Sequence, residues 1–82
     1  RSDPVVDNFV AHVACGKLWL ELGNSDRATR ELQTAVRLSP GSPDAHFALS
    51  RALSTTGHKR EAAQERAKFE RLKAQSDAAD HQ

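Results

Sequence analysis

Apolar residues recur along this chain at helical spacing, in four blocks separated by glycine and proline breaks. The first block carries two apolar stripes. Ala11, Ala14, Cys15, Leu18 and Leu22 follow one face of a helix, and Val6, Phe9, Val10, Val13 and Leu20 follow another. A helix apolar on nearly all sides packs on more than one of them. This helix is expected from near Asp7 to Leu22, with Asp3-Pro4 as an upstream start signal, Asp7 as a second candidate cap, and Gly23 as its stop.

The second block begins at Asn24 or Ser25, either of which can cap a helix, and Asp26 places a carboxylate in the first turn. Its buried stripe is Ala28, Leu32, Ala35, Val36 and Leu38, with Arg27–Glu31 and Asp26–Arg30 spaced as i,i+4 ion pairs on the wet side. Ser39-Pro40-Gly41 stops it. Ser42-Pro43-Asp44 then supplies cap, proline and acid in the order a helix start requires. The third helix, to about Thr56, shows one stripe (Ala45, Ala48, Leu49, Ala52, Leu53) with Phe47 standing off it. Gly57 ends it. The fourth, about Lys59 to Gln75, sets Ala62, Phe69 and Leu72 among many charges, and the polar stretch from Gln75 to Gln82 is expected to fray. No run alternates in the manner of a strand.

The four blocks reduce to two. A single fixed shift lays the sequence on itself: Ala11 on Ala45, His12 on His46, Ala14 on Ala48, Trp19 on Leu53, Gly23 on Gly57, Ala28 on Ala62 and Leu38 on Leu72. Self-similarity at a fixed period of this size is the mark of a repeat architecture. The period and these residues resemble the tetratricopeptide repeat, a helix-turn-helix unit of about 34 residues. Gly16, Ala28 and Pro40 match its pattern in the first unit, where His12, Cys15, Trp19 and Leu32 take the aromatic or apolar slots. In the second unit Leu49 and Ala62 match; Ser50 stands in the close-packing glycine slot, Arg66 in an aromatic slot and Ala74 in the proline slot. The resemblance covers Phe9 to about Lys73.

It implies an all-α fold: two stacked antiparallel helical hairpins, a fragment of a right-handed α-solenoid. Repeat one would span about residues 9–42, repeat two about 43–75, and a polar tail residues 76–82, within a single domain of 82 residues. The family binds peptides or proteins on a concave face built from the first helix of each unit. Carried onto this chain, that face holds Val10, Val13, Lys17 and Leu20, then Asp44, Phe47 and Arg51. Lys17 and Arg51 lie one repeat apart, so they are expected side by side, receiving an acidic group or a C-terminal carboxylate beside Val13 and Phe47. Solvated surface charge is the competing reading. Some family members clamp the C-terminal carboxylate of heat-shock chaperones with Lys and Asn. Here Val13 holds the slot for the first Lys and Lys17 the slot for the first Asn, so docking of that kind is not expected.

Composition narrows the remaining classes. Net charge is +1 with 28% charged residues, which gives no strong pull toward nucleic acid or anionic lipid. No apolar run approaches a membrane span of about 20 residues, and no signal peptide is visible. One cysteine excludes an internal disulfide. The chain begins at Arg1 and contains no Met, so it is expected to be part of a longer protein, most simply the C-terminal end of a longer array. Its compartment is not readable, with a cytoplasmic setting slightly favoured.

Four further features carry candidate chemistry. His12 and His46 occupy equivalent positions and could share a metal, but no further ligand accompanies them, so they are read as packing side chains and no metal or cofactor is expected. Cys15 falls on a helical stripe expected to be buried, which makes it an inert hydrophobe rather than a nucleophile, and the chain is read as no enzyme. The last helix carries Lys59, Arg60, Arg66, Lys68, Arg71 and Lys73 against Glu61, Glu65 and Glu70. Its signs are interleaved and only Phe69 could stack on a base, so nucleic acid is a weak alternative partner. Finally, Val6, Phe9, Val10 and Val13 form an apolar strip with no preceding helix to cover it, which suggests homodimerisation or an upstream neighbour.

Overall fold

A computed structural model describes the backbone of residues 4–80 and the side chains of residues 8–77. The chain is all-helical, with four helices in the order α1 (Pro4–Glu21), α2 (Ser25–Leu38), α3 (Pro43–Thr55) and α4 (Lys59–Asp80), and no strand among the described residues. The helix α1 packs chiefly on α2, α3 chiefly on α4, and α2 on α3, with a lighter contact between α1 and α3.

The helix ends follow the local chemistry. Pro4 opens α1, the earlier of its two start signals. Asn24 caps α2, its side-chain oxygen accepting from the Arg27 N–H at 3.2 Å. Pro43 sits in the first turn of α3, although the Ser42 hydroxyl makes no capping hydrogen bond. Gly23 and Gly57 both lie at positive φ, +84° and +90°, where a side chain would be strained. The closures around them are the same: Asn24 N–H donates to Trp19 O and Gly23 N–H to Leu20 O, while His58 N–H donates to Leu53 O and Gly57 N–H to Ser54 O. Each residue of the second set lies one repeat beyond its counterpart in the first. The last helix continues past the expected end at Gln75 to Asp80 because nothing stops it: no Gly or Pro follows Gly57, and Ala74, Gln75, Ala78 and Ala79 are tolerant of helix.

The core is built mostly of small side chains. Of the ten buried hydrophobic residues among those described, six are alanines (Ala28, Ala35, Ala45, Ala48, Ala52, Ala62), so helix axes must approach closely for these side chains to touch anything. One cluster gathers Ala28, Leu32, Ala48, Leu49, Ala52, Leu53 and Ala62, with Trp19, Leu20 and Val36 packed against it. A second joins Val13, Ala35 and Ala45, flanked by Phe9 and Val36. Gly16 sets the α1–α2 distance. A methyl group placed on it would lie 2.6 Å from Leu32 Cδ2, closer than carbon atoms tolerate.

The stripes of α1 divide differently from expectation. Val13 and Gly16 are buried and Phe9, His12, Trp19 and Leu20 are half-buried, whereas Ala11, Ala14, Cys15, Leu18 and Leu22 are all exposed. Leu32 fixes the choice: it needs the space that only Gly16 leaves, so the Gly16 face turns toward α2. Cys15 is therefore a surface thiol and not a core residue. The i,i+4 pairs expected on α2 are also absent among the described ion pairs, since Glu31 binds His12 and the Arg27 guanidinium lies 4.9 Å from the centre of the Trp19 ring.

Overpacking is the sensitive failure of such a core. Gly16→Ala and Ala28→Leu should each lose about 1–3 kcal/mol of stability. Urea denaturation of the two variants measures this, and midpoints equal to the parent's would show that the crossings are looser than described.

Candidate functional site

The face carrying the expected binding residues is mixed. Val10, Lys17, Asp44 and Arg51 are exposed; Leu20 and Phe47 are half-buried, and Val13 is buried against Ala35 and Ala45. Lys17 is paired within the chain. Its Nζ donates to both carboxylate oxygens of Asp44, at 2.9 and 3.1 Å, tying α1 to the first turn of α3. Both partners are about half exposed, so the pair contributes about 0–1 kcal/mol.

Arg51 occurs one repeat beyond Lys17 and enters no ion pair among the described residues. It lines a cleft of about 490 Å³ between α3 and α4, together with Phe47, Ser50, Ala62, Ala63 and Arg66. Phe47 forms its apolar wall, braced by Phe69 with ring centres 4.9 Å apart. Ser54 and Thr55 also line the cleft; the Ser50 hydroxyl donates to Phe47 O at 2.6 Å and the Thr55 hydroxyl to Arg51 O at 2.9 Å, so its remaining polar groups are the Ser54 hydroxyl and the two guanidinium groups. Arg66 touches Glu70 only at 3.6 Å, with both side chains 67% exposed. Among the described residues, no carboxylate lines the cleft.

The two equivalent histidines do not act as a pair. His12 Nδ1 lies 2.5 Å from Glu31 Oε1, and His46 Nδ1 lies 2.6 Å from Glu65 Oε1. Each ties the first helix of a hairpin to the second across 19 residues, and both members of the second pair lie one repeat beyond those of the first. The second pair is the buried one. His46 Nε2 donates to Pro40 O at 2.7 Å, so the ring is held at both of its nitrogens. Lys68 Nζ donates to the other Glu65 oxygen at 3.2 Å. The sequence reading passes over these glutamates, although the equal His-to-Glu spacing in both units is visible there. No group of three or more metal-ligating side chains occurs among the described residues.

The apolar strip expected on α1 is also redistributed. The Val6 side chain lies outside the described residues. Phe9 and Val13 pack inward, and Val10 stays 55% exposed. The exposed apolar surface of α1 is instead the strip from Ala11 to Leu22, where Leu18 is 54% and Leu22 66% exposed. On α4, Phe69 is half-buried, with its ring centre 4.9 Å from that of Phe47. No helix among the described residues is long and apolar enough to cross a membrane. No protein-family model matches the chain, and no curated protein or solved structure matches it.

The two His–Glu ties should differ in strength. Leaving a buried polar group without its hydrogen-bond partner costs about 1–3 kcal/mol, while a pair that solvent reaches contributes about 0–1 kcal/mol. His46→Ala is expected near the first range and His12→Ala near the second. Denaturation curves that place both variants at equal stability would contradict this assignment.

Proposed function

We propose that the chain is a non-catalytic protein-binding module of tetratricopeptide type, a segment of a longer helical array, with its ligand on the face shared by α1 and α3. The observation that carries the reading is the exposed strip on α1. Ala11, Ala14, Cys15 and Leu18 are open to solvent, while their counterparts one repeat on, Ala45, Ala48, Leu49 and Ala52, are all buried between helices. A face with the composition of an interior, left uncovered, is the surface of a protein that has a neighbour. The paired glycine closures and the paired His–Glu ties support the same repeat reading. The exposed members of the α1–α3 face, Val10, Lys17, Asp44 and Arg51, then offer one apolar contact, a closed ion pair and one cation outside any described ion pair.

The same strip favours a second reading, self-association through α1. It differs from the expected dimer in the residues used: Leu18 and Leu22 rather than Phe9 and Val13.

Photo-crosslinking side chains at Val10 and at Leu18 in the intact protein test both. The binding-module reading expects Val10 to trap a different protein or peptide and Leu18 to trap a segment of the same polypeptide. Self-association expects Leu18 to trap a second copy, with Leu18→Glu converting dimer to monomer in sedimentation at unchanged helix content. Crosslinks to nucleic acid, or none above a control at Ala67, would contradict the proposal.

A further inference from the structure

Val36 and Pro40 face Lys68, Arg71 and Leu72 across a second groove, of about 370 Å³, with His46 at its base. It runs between α2 and α4, whose backbones nowhere approach each other closely among the described residues, so α3 forms its floor. Three of its six side chains (Val36, Pro40, Leu72) are apolar. Its volume falls within the roughly 300–1,000 Å³ of small-molecule sites, and so does the pattern of apolar walls with a few polar groups.

The polar groups decide what such a ligand must be. The buried His46 ring has both nitrogens engaged, Nδ1 with Glu65 Oε1 and Nε2 with Pro40 O. The floor therefore asks for no polar partner and presents a flat ring to an apolar body. Pro40 O is engaged in the same contact and proline has no N–H, so a peptide laid here would find little for its own amides, which are costly to leave unpaired. Lys68 Nζ donates to Glu65 Oε2 at 3.2 Å, and those two charges offset each other. Arg71 is exposed and enters no ion pair among the described residues. Counting Lys68, Glu65 and Arg71, the groove carries a single positive charge, at its rim. One planar guanidinium matches one carboxylate. A nucleic-acid strand is matched by a row of cations, which the groove does not have.

We infer that the groove between α2 and α4 binds a small apolar monocarboxylate, with its carboxylate on Arg71 and its hydrocarbon body over His46, against Val36, Pro40 and Leu72. The site lies outside both the α1 strip and the cleft that holds Arg51, and it does not rest on the module reading.

The probe is octanoate, titrated into the isotope-labelled whole chain and followed by two-dimensional amide NMR. Saturable shifts at Val36, Arg71 and Leu72 are expected, with a Kd on the order of 1 mM for so small a ligand. Octylammonium has the same hydrocarbon and the opposite charge, and should bind about fivefold or more weakly; Arg71→Gln should weaken octanoate by a similar factor. Arg71→Glu should reverse the preference between the two. Arg71 is exposed, and the dispersion of the spectrum checks that each variant keeps the fold. Acetate, which has the head without the body, should leave these amides unmoved. No saturation by about 20 mM octanoate, equal octanoate affinity in the parent and Arg71→Gln, or shifts at Leu18 and Leu22 as large as those in the groove would each overturn the inference. The last result would mean adsorption to any apolar surface. Crosslinking at Val10 and Leu18 is independent of all of these, so failure here and failure of the module reading are separate outcomes.

Discussion

Close approach of helices is the constraint on which the rest of this structure depends. Gly16 lets Leu32 sit where a methyl group would otherwise stand, and six alanines line the remaining crossings. Small side chains bury little apolar area each, at about 25 cal/mol per Å², so the core gains by dense contact rather than by bulk. Few residues can be enlarged without pushing helices apart, and polar ties carry part of the task of holding each hairpin. His12–Glu31 and His46–Glu65 do so at equivalent places, the first part-buried and the second in the interior.

Equivalent positions meet different fates at the two ends of the molecule, and that difference is where function enters. The third helix is covered on two sides: α3 buries Ala45, His46, Ala48, Leu49, Ser50, Ala52 and Leu53 and leaves Asp44, Arg51, Ser54 and Thr55 exposed on the remaining one. The face of α1 that matches half of this is open. At the other end Arg66 stands where Leu32 stood, and the open surface is cationic rather than apolar. These are two unlike edges, one apolar and one carrying guanidinium groups.

The breaks in the fold are legible in the sequence because glycine at positive φ is a local requirement. Gly23 and Gly57 end helices wherever the surrounding chain goes. The inward face of α1 is not legible in the same way. Both of its stripes are apolar, and the partner helix decides between them; Gly16 opposite Leu32 is the deciding signal, readable in the sequence only as a close-packing slot. Cys15 moves from core to surface for the same reason. Lys17 reads as available from spacing alone because its partner Asp44 lies 27 residues away on another helix, and pairs of that kind come from packing. The end of α4 lies beyond its expected place because polarity is no stop where no residue breaks the helix.

The strip left open on α1 is the counterpart of a buried face on α3, and thiol labelling tests this most directly. In the native chain Cys15 should react with a maleimide within several-fold of the rate in denaturant, since it is exposed. A thiol moved to the buried counterpart face, Ala48→Cys in a Cys15→Ala background, should react about 100-fold or more slowly than in denaturant, because it must wait for local opening. Equal rates at the two positions, or protection of Cys15 in a chain shown to be monomeric, would contradict the account.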